Sequence, residues 1–133
     1  MKKKIFSLPL AALLIFTFTA CSSPDSWQLD LSQGCGTRMK LLHLNASTEA
    51  RRKRLRDFEA LLENAQPLEK DSRLFAYYPD YLLEITHDGK KTTVVLDVNG
   101  EYLDFYYPEE SESTIYRSAY TAADLRKLIH QYD

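Results

Sequence analysis

Two dipeptides eleven residues apart, Asp88-Gly89 and Asn99-Gly100, restrict what this chain can fold into more than any other feature. A two-residue hairpin loop of type I′ needs positive φ at both central positions, which Asn or Asp followed by Gly tolerates and most residues do not. Pairing outward from Asp88-Gly89 sets Ile85 against Thr92, Leu83 against Val94 and Tyr81 against Leu96. Pairing outward from Asn99-Gly100 sets Leu96 against Leu103 and Val94 against Phe105. The two registers are independent, yet both put Val94 and Leu96 on one face, and a slip of one residue would flip a whole strand. Residues 81–107 therefore read as a three-stranded antiparallel meander. Its core face carries Tyr81, Leu83, Ile85, Val94, Leu96, Val98, Leu103, Phe105 and Tyr107. Its other face is mixed, with Leu82, Glu84, Thr93, Val95, Asp97, Tyr102, Asp104 and Tyr106.

Two helices are available to cover the core face. Leu55, Phe58, Leu61, Leu62 and Ala65 recur at helical spacing opposite Arg52, Arg56, Glu59 and Glu63, which predicts a helix from about Ser47 to Ala65. Glu49 and Lys53 are spaced as an i,i+4 pair, and Pro67 closes the segment. A second helix starts at Thr121, with Asp124 three positions on as a capping-box variant, and its apolar stripe is Leu125, Leu128, Ile129 and Tyr132. Met39, Leu41 and His43 alternate with Arg38, Lys40 and Leu42, the pattern of a strand, and Ile115 to Tyr120 adds an edge strand. The fold class is α+β: a small antiparallel sheet, the meander plus one or two further strands, with two helices packed on one face.

The N-terminus belongs to a different economy. Lys2, Lys3 and Lys4 precede an apolar run from Ile5 to Phe18, then Phe18-Thr19-Ala20-Cys21 gives way abruptly to Ser22-Ser23-Pro24-Asp25. A charged head, a short apolar middle and small residues at the end make an export signal. As a helix, about fourteen residues rise only ~21 Å, short of a ~30 Å hydrocarbon layer. Ordinary signal peptidase wants small side chains one and three residues before its cut, and Phe18 is bulky. The segment resembles instead the lipobox of bacterial lipoproteins: an apolar residue, two small residues and a cysteine. Phe18 stands where Leu is commonest, and the resemblance covers only the leader. It implies that Cys21 is acylated and becomes the new N-terminus, so that two or three chains hold the protein to a bilayer, since one binds only marginally. The expected organisation is a removed signal peptide over 1–20, a lipidated cysteine and flexible tether over 21–36, and one α+β domain over 37–133. Lipoproteins with Ser after the cysteine generally move to the outer membrane where there are two, and otherwise stay on the outer face of the cell membrane.

Removing three leader lysines leaves fourteen Lys/Arg against nineteen Asp/Glu, an acidic balance with no general attraction to nucleic acid. With Cys21 acylated, Cys35 is the only remaining thiol, so the domain is not a disulfide scaffold. Gly34-Cys35-Gly36 makes it either a small half-buried hydrophobe beside a turn or a reactive thiol; without acylation a Cys21–Cys35 bridge is a further option.

The sequence holds little chemistry. His43, His87 and His130 lie far apart with no second ligand at metal spacing, and Asp97-Val98-Asn99-Gly100 has its glycine too early for a calcium loop. There is no nucleophile elbow and no phosphate-binding glycine loop. Glu84 and Asp104 share the mixed face but sit on outer strands of the meander, roughly 10 Å apart. No cofactor and no catalytic residue are expected.

Two features point to binding. Arg51, Arg52, Lys53, Arg54 and Arg56 crowd the front of the first helix, where the helix dipole favours anions. Tyrosine occurs nine times, and Tyr102 and Tyr106 alternate on the mixed face beside Leu82 and Val95; tyrosine supplies large contact area with few rotors to freeze. The expectation is a non-enzymatic, lipid-anchored envelope protein whose sheet face (Leu82, Val95, Tyr102, Tyr106) binds another envelope protein, as a complex subunit or as a restraint on an enzyme or toxin. An alternative is a binding module for an anionic envelope polymer or lipid headgroup through Arg51, Arg52, Lys53 and Arg54. A third is a small hydrolase or thiol enzyme.

Overall fold

A computed structural model describes residues 26–34, 38–69, 80–110 and 114–131. Within them the chain runs β1 (Gln28–Gln33), β2 (Met39–Asn45), α1 (Glu49–Ala60), β3 (Gln66–Leu68), β4 (Tyr81–His87), β5 (Lys90–Asn99), β6 (Tyr102–Tyr106), β7 (Ile115–Thr121) and α2 (Ala122–His130). The leader, Cys21, Cys35, Tyr77, Tyr78 and Tyr132 lie outside the described residues. The α+β class is as expected, but the sheet is larger: seven strands in the order β2-β1-β4-β5-β6-β7-β3, every neighbouring pair antiparallel.

Turn chemistry fixes the centre of this sheet. Asp88 (φ 52) and Gly89 (φ 77) both take positive φ, and β4 pairs β5 in the expected register, Ile85 with Thr92, Leu83 with Val94 and Tyr81 with Leu96. The second hairpin differs by two residues. Its loop is Gly100-Glu101, so Leu96 faces Phe105 and Val98 faces Leu103. Gly100 alone supplies a positive φ there (64), the requirement of a type II′ turn, and Asn99 stays in the strand. A two-residue slip preserves parity, so each side chain keeps its expected face.

Two strands went unforeseen. The stretch expected to be tether up to residue 36 enters the sheet at Gln28: β1 lies between β2 and β4, and Leu29 and Leu31 are fully buried. Pro67, expected only to close the first helix, sits in the three-residue edge strand β3, where its missing N–H faces no neighbour. Consequently β7 is interior, paired with β6 and β3.

The core is one cluster between the sheet and the helices: Leu29, Leu31, Leu44, Leu83, Ile85, Val94, Leu96, Leu103 and Phe105 from strands, with Leu55, Phe58, Leu61 and Leu125 from above. Helix α1 starts at Thr48, whose side chain accepts from the Arg51 N–H at 3.1 Å. It is shorter than expected at its end. Three N–H groups (Leu61, Leu62, Glu63) bond carbonyls three residues back, tightening the last turn, and Asn64 reverses the chain at φ 56. Ser118 Oγ donates to the Leu61 carbonyl at 2.6 Å and ties this turn to β7.

Helix α2 begins with the complete capping box expected, Thr121 and Asp124 each bonding the other's backbone. The bond from the Thr121 N–H holds the Asp124 carboxyl below its ordinary range. A carboxyl depressed in the folded state stabilises above its unfolded pKa and loses that contribution as pH falls through the folded value. At neutral pH, Thr121→Ala should cost about 1 kcal/mol. Asp124→Asn should melt below wild type at pH 7, and the gap should close as thermal melts are taken below about pH 4.

Candidate functional site

With both helices on one face, the opposite face of the sheet is organised into cross-strand rows. In the first row Asp30 on β1 faces Glu84 on β4, which faces Thr93 on β5. Asp30 accepts from His43 Nδ1 at 2.8 Å and Lys40 Nζ at 3.2 Å; burial pushes its pKa up, but these bonds outweigh it and hold the carboxyl low. Lys91 reaches Glu84 at 2.6 Å, so its ammonium is pushed up. In the second row Leu82 faces Val95 and Val95 faces Tyr106. Val95 is buried, while Leu82 and Tyr106 are half-buried.

A third row is ionic and aromatic. Asp97 and Asp104 face each other across β5 and β6, and Arg117 on β7 faces Asp104 from the other side. Asp104 is fully buried and receives a two-pronged bond from Arg117, Nε at 2.9 Å and Nη2 at 3.2 Å. The carboxylate raises the pKa of that guanidinium. The same guanidinium lies 3.8 Å over the ring of Tyr102, which remains 45% exposed. Thus Leu82, Val95, Tyr102 and Tyr106 do share one face, three of them in a single row. Glu84 and Asp104, expected to stand apart on outer strands of the meander, are each engaged by their own cation, Lys91 and Arg117.

The remaining tyrosines divide. Tyr81, Tyr107 and Tyr116 pack against the core, with Tyr116 stacked on Phe105 at 5.5 Å and Tyr107 edge-on to both. Burial, with Glu110 nearby, pushes the Tyr107 phenol up.

The basic run of α1 is not one surface. Arg54 is 3% exposed and turns inward, donating from Nε (3.0 Å) and Nη2 (2.6 Å) to the Leu128 carbonyl and from Nη2 to the Ile129 carbonyl (3.1 Å). It neutralises the C-terminal end of α2, where carbonyls are left without helical partners and the dipole is negative. Stability therefore accounts for this arginine, although the run stands at the front of α1, where the dipole favours anions. Arg51 bonds Asn45 Oδ1 and Ser47 Oγ. Arg52 and Arg56 both reach Glu49, and Lys53 reaches Asp57 at 2.8 Å, so the expected Glu49–Lys53 pair gives way to these.

A cluster unforeseen in the sequence lies where β1 begins. Trp27 Nε1 donates to Glu59 Oε1 at 2.9 Å, the same oxygen bonds His87 Nδ1 at 3.1 Å, and the two rings stack 4.4 Å apart. His87 is thus fixed between α1 and the chain entering β1. Trp27 is the only tryptophan of the sequence, and only its distance from any predicted element hid it.

Among the described residues no three His, Cys, Asp or Glu side chains gather as a metal site, and no helix is long and apolar enough to cross a membrane. No protein-family model matches the chain, and no curated protein or solved structure does.

Proposed function

We propose that this chain is an exported, non-enzymatic protein, held to a bilayer by acyl groups on Cys21, that docks another envelope protein through the sheet face opposite α1 and α2. The observation that carries the docking surface is the state of Tyr102. Its ring is exposed, yet it is clamped under a guanidinium that a buried carboxylate holds with two bonds. An aromatic fixed before encounter loses little rotamer freedom on binding and suits the centre of a protein interface. Leu82 and Tyr106 extend it with half-buried apolar area. The cations of α1, by contrast, already have internal acceptors, which weighs against an anionic polymer as the main ligand.

Two experiments test the two parts separately. Mass spectrometry of the mature N-terminal peptide should find diacylglyceryl on Cys21, and an unmodified cysteine would remove the anchor. For the surface, a photo-crosslinking residue at position 102 in detergent-solubilised envelopes should yield one discrete protein adduct. Tyr102→Ala with Tyr106→Ala should abolish co-purification of that same protein at an unchanged melting temperature. Loss of wall or membrane-fraction binding on neutralising Arg51, Arg52 and Lys53, with no effect of the tyrosine changes, would instead overturn the protein-docking assignment.

A further inference from the structure

Strand β5 is ten residues long, but its two neighbours use it unequally. β4 pairs with Lys90 through Leu96, whereas β6 pairs only with Val95 through Asn99. Among the described residues, the first half of β5 therefore has a strand on one side and none on the other. Register says which backbone groups this leaves. The residues flanking a two-residue hairpin loop exchange both hydrogen bonds, and hydrogen-bonded pairs then alternate along the ladder. The flanking pairs are His87 with Lys90 and Asn99 with Tyr102. Even-numbered residues of β5 consequently direct N–H and C=O toward β4, and odd-numbered ones toward β6. Val95, Asp97 and Asn99 meet Tyr106, Asp104 and Tyr102. Lys91 and Thr93 have no strand partner on that side among the described residues.

The cause is local. Continued in register, β6 would set Pro108 opposite Thr93, and proline has no N–H to offer a hydrogen-bonded pair. The chain turns away instead, closed by a bond from the Glu110 N–H to the Tyr107 carbonyl at 3.2 Å. A hollow of about 440 Å³ lies in the vacated track, with Lys91, Thr93, Tyr107 and Glu109 among its walls. It adjoins a second hollow of about 280 Å³ on the core side, sharing Lys90, Thr92 and Tyr107 with it and floored by Leu62 and Ile85.

We propose that this notch is a binding site for an extended peptide segment of a partner protein, which adds as a short strand in the track β6 leaves. A peptide antiparallel to β5 would take its main-chain bonds from Lys91 and Thr93, the recognition mode of strand addition. Side-chain parity then defines its chemistry. A residue opposite Thr93 lies on the outer face beside a hydroxyl, and favours a small polar side chain. The next, opposite Thr92, points into the core-side hollow against Leu62, Ile85 and Tyr107, and favours an aliphatic one. The third, opposite Lys91, meets an ammonium already paired with Glu84 and lies near the Glu109 carboxylate, and so favours an uncharged polar side chain. The class of ligand is an extended triplet of small polar, aliphatic and uncharged polar residues. This site uses none of the outer-face tyrosines and stands independently of the docking surface proposed above.

The backbone alternation can be read by amide hydrogen exchange on the free protein, followed by NMR titration with the peptide acetyl-Gly-Thr-Leu-Gln-Gly-amide. In the free protein the Lys91 and Thr93 amides should exchange about 100-fold faster than those of Thr92 and Val94, whose N–H groups enter the β4 ladder. Saturable shifts at Lys91 and Thr93 are expected within about 10 mM peptide, with slowed exchange at both. A peptide N-methylated at the residue opposite Lys91, whose N–H points at β5, and one with leucine replaced by glycine, should each bind about tenfold more weakly. Thr93→Pro removes an N–H that no described strand uses, together with the hydroxyl that donates to Glu109, and should abolish binding; the N-methyl peptide tests the backbone bond alone, without altering the protein. Protected Lys91 and Thr93 amides in the free protein, shifts confined to other surfaces, or protection that appears with protein concentration alone would overturn the proposal.

Discussion

Arg54→Ala should lower the stability of the domain by about 3 kcal/mol, seen as a fall in melting temperature of about 10 °C or more. The guanidinium is 3% exposed and carries three bonds to the last carbonyls of α2. Bonds from a charged donor contribute roughly 1.5–3 kcal/mol each without being additive, and a cation at a partly buried helix C-terminus adds up to ~2 kcal/mol. Its removal also frees the packing of α2 against α1. Arg54→Lys should recover only part of the loss, because one ammonium cannot replace a planar fork. Lys53→Ala is the control: Lys53 is well exposed and its i,i+4 pair with Asp57 should contribute no more than ~0.5 kcal/mol. Melts in which Arg54→Ala and Lys53→Ala behave alike would show that the run is one solvated face after all.

Asp104→Ala should cost about 3 kcal/mol by denaturant titration, because it leaves the Arg117 guanidinium, only a quarter exposed, without its partner. The double change Asp104→Leu with Arg117→Leu should recover most of this, to within about 1 kcal/mol of wild type, since apolar replacement of both members of a buried pair is commonly near neutral. Partner binding should not recover with it. The Tyr102 ring would have lost the guanidinium that holds it, so affinity should fall while stability returns. Full recovery of both would mean that the clamp has no part in recognition.

The central meander was legible because its information is local: Asp88-Gly89 and Asn99-Gly100 name their own backbone conformations. The two-residue displacement of the second hairpin came from treating Asn99 as a loop residue, when one positive φ at Gly100 suffices. Parity survived, so the shared face of Leu82, Val95, Tyr102 and Tyr106 is legible in the sequence itself. β1 was hidden because Leu29 and Leu31 alternate over too short a span to stand out beside a polar stretch that reads as tether. β3 offered three residues and a proline. The inward turn of Arg54 was beyond sequence reading for another reason: its acceptors lie 74 residues away, on a helix whose position depends on the whole fold. The same holds for Trp27 and Glu59, 32 residues apart.

The ends of this sheet are unlike. One closes on a three-residue strand containing Pro67; the other is the seven-residue β2, with Met39 and Lys40 open to solvent. A ribbon grows into a fibre only when both margins accept another copy. Here addition along β2 would bury that margin twice and leave two prolines facing outward, so self-association by this route halts at a pair. Two copies joined this way would offer a third only their proline margins.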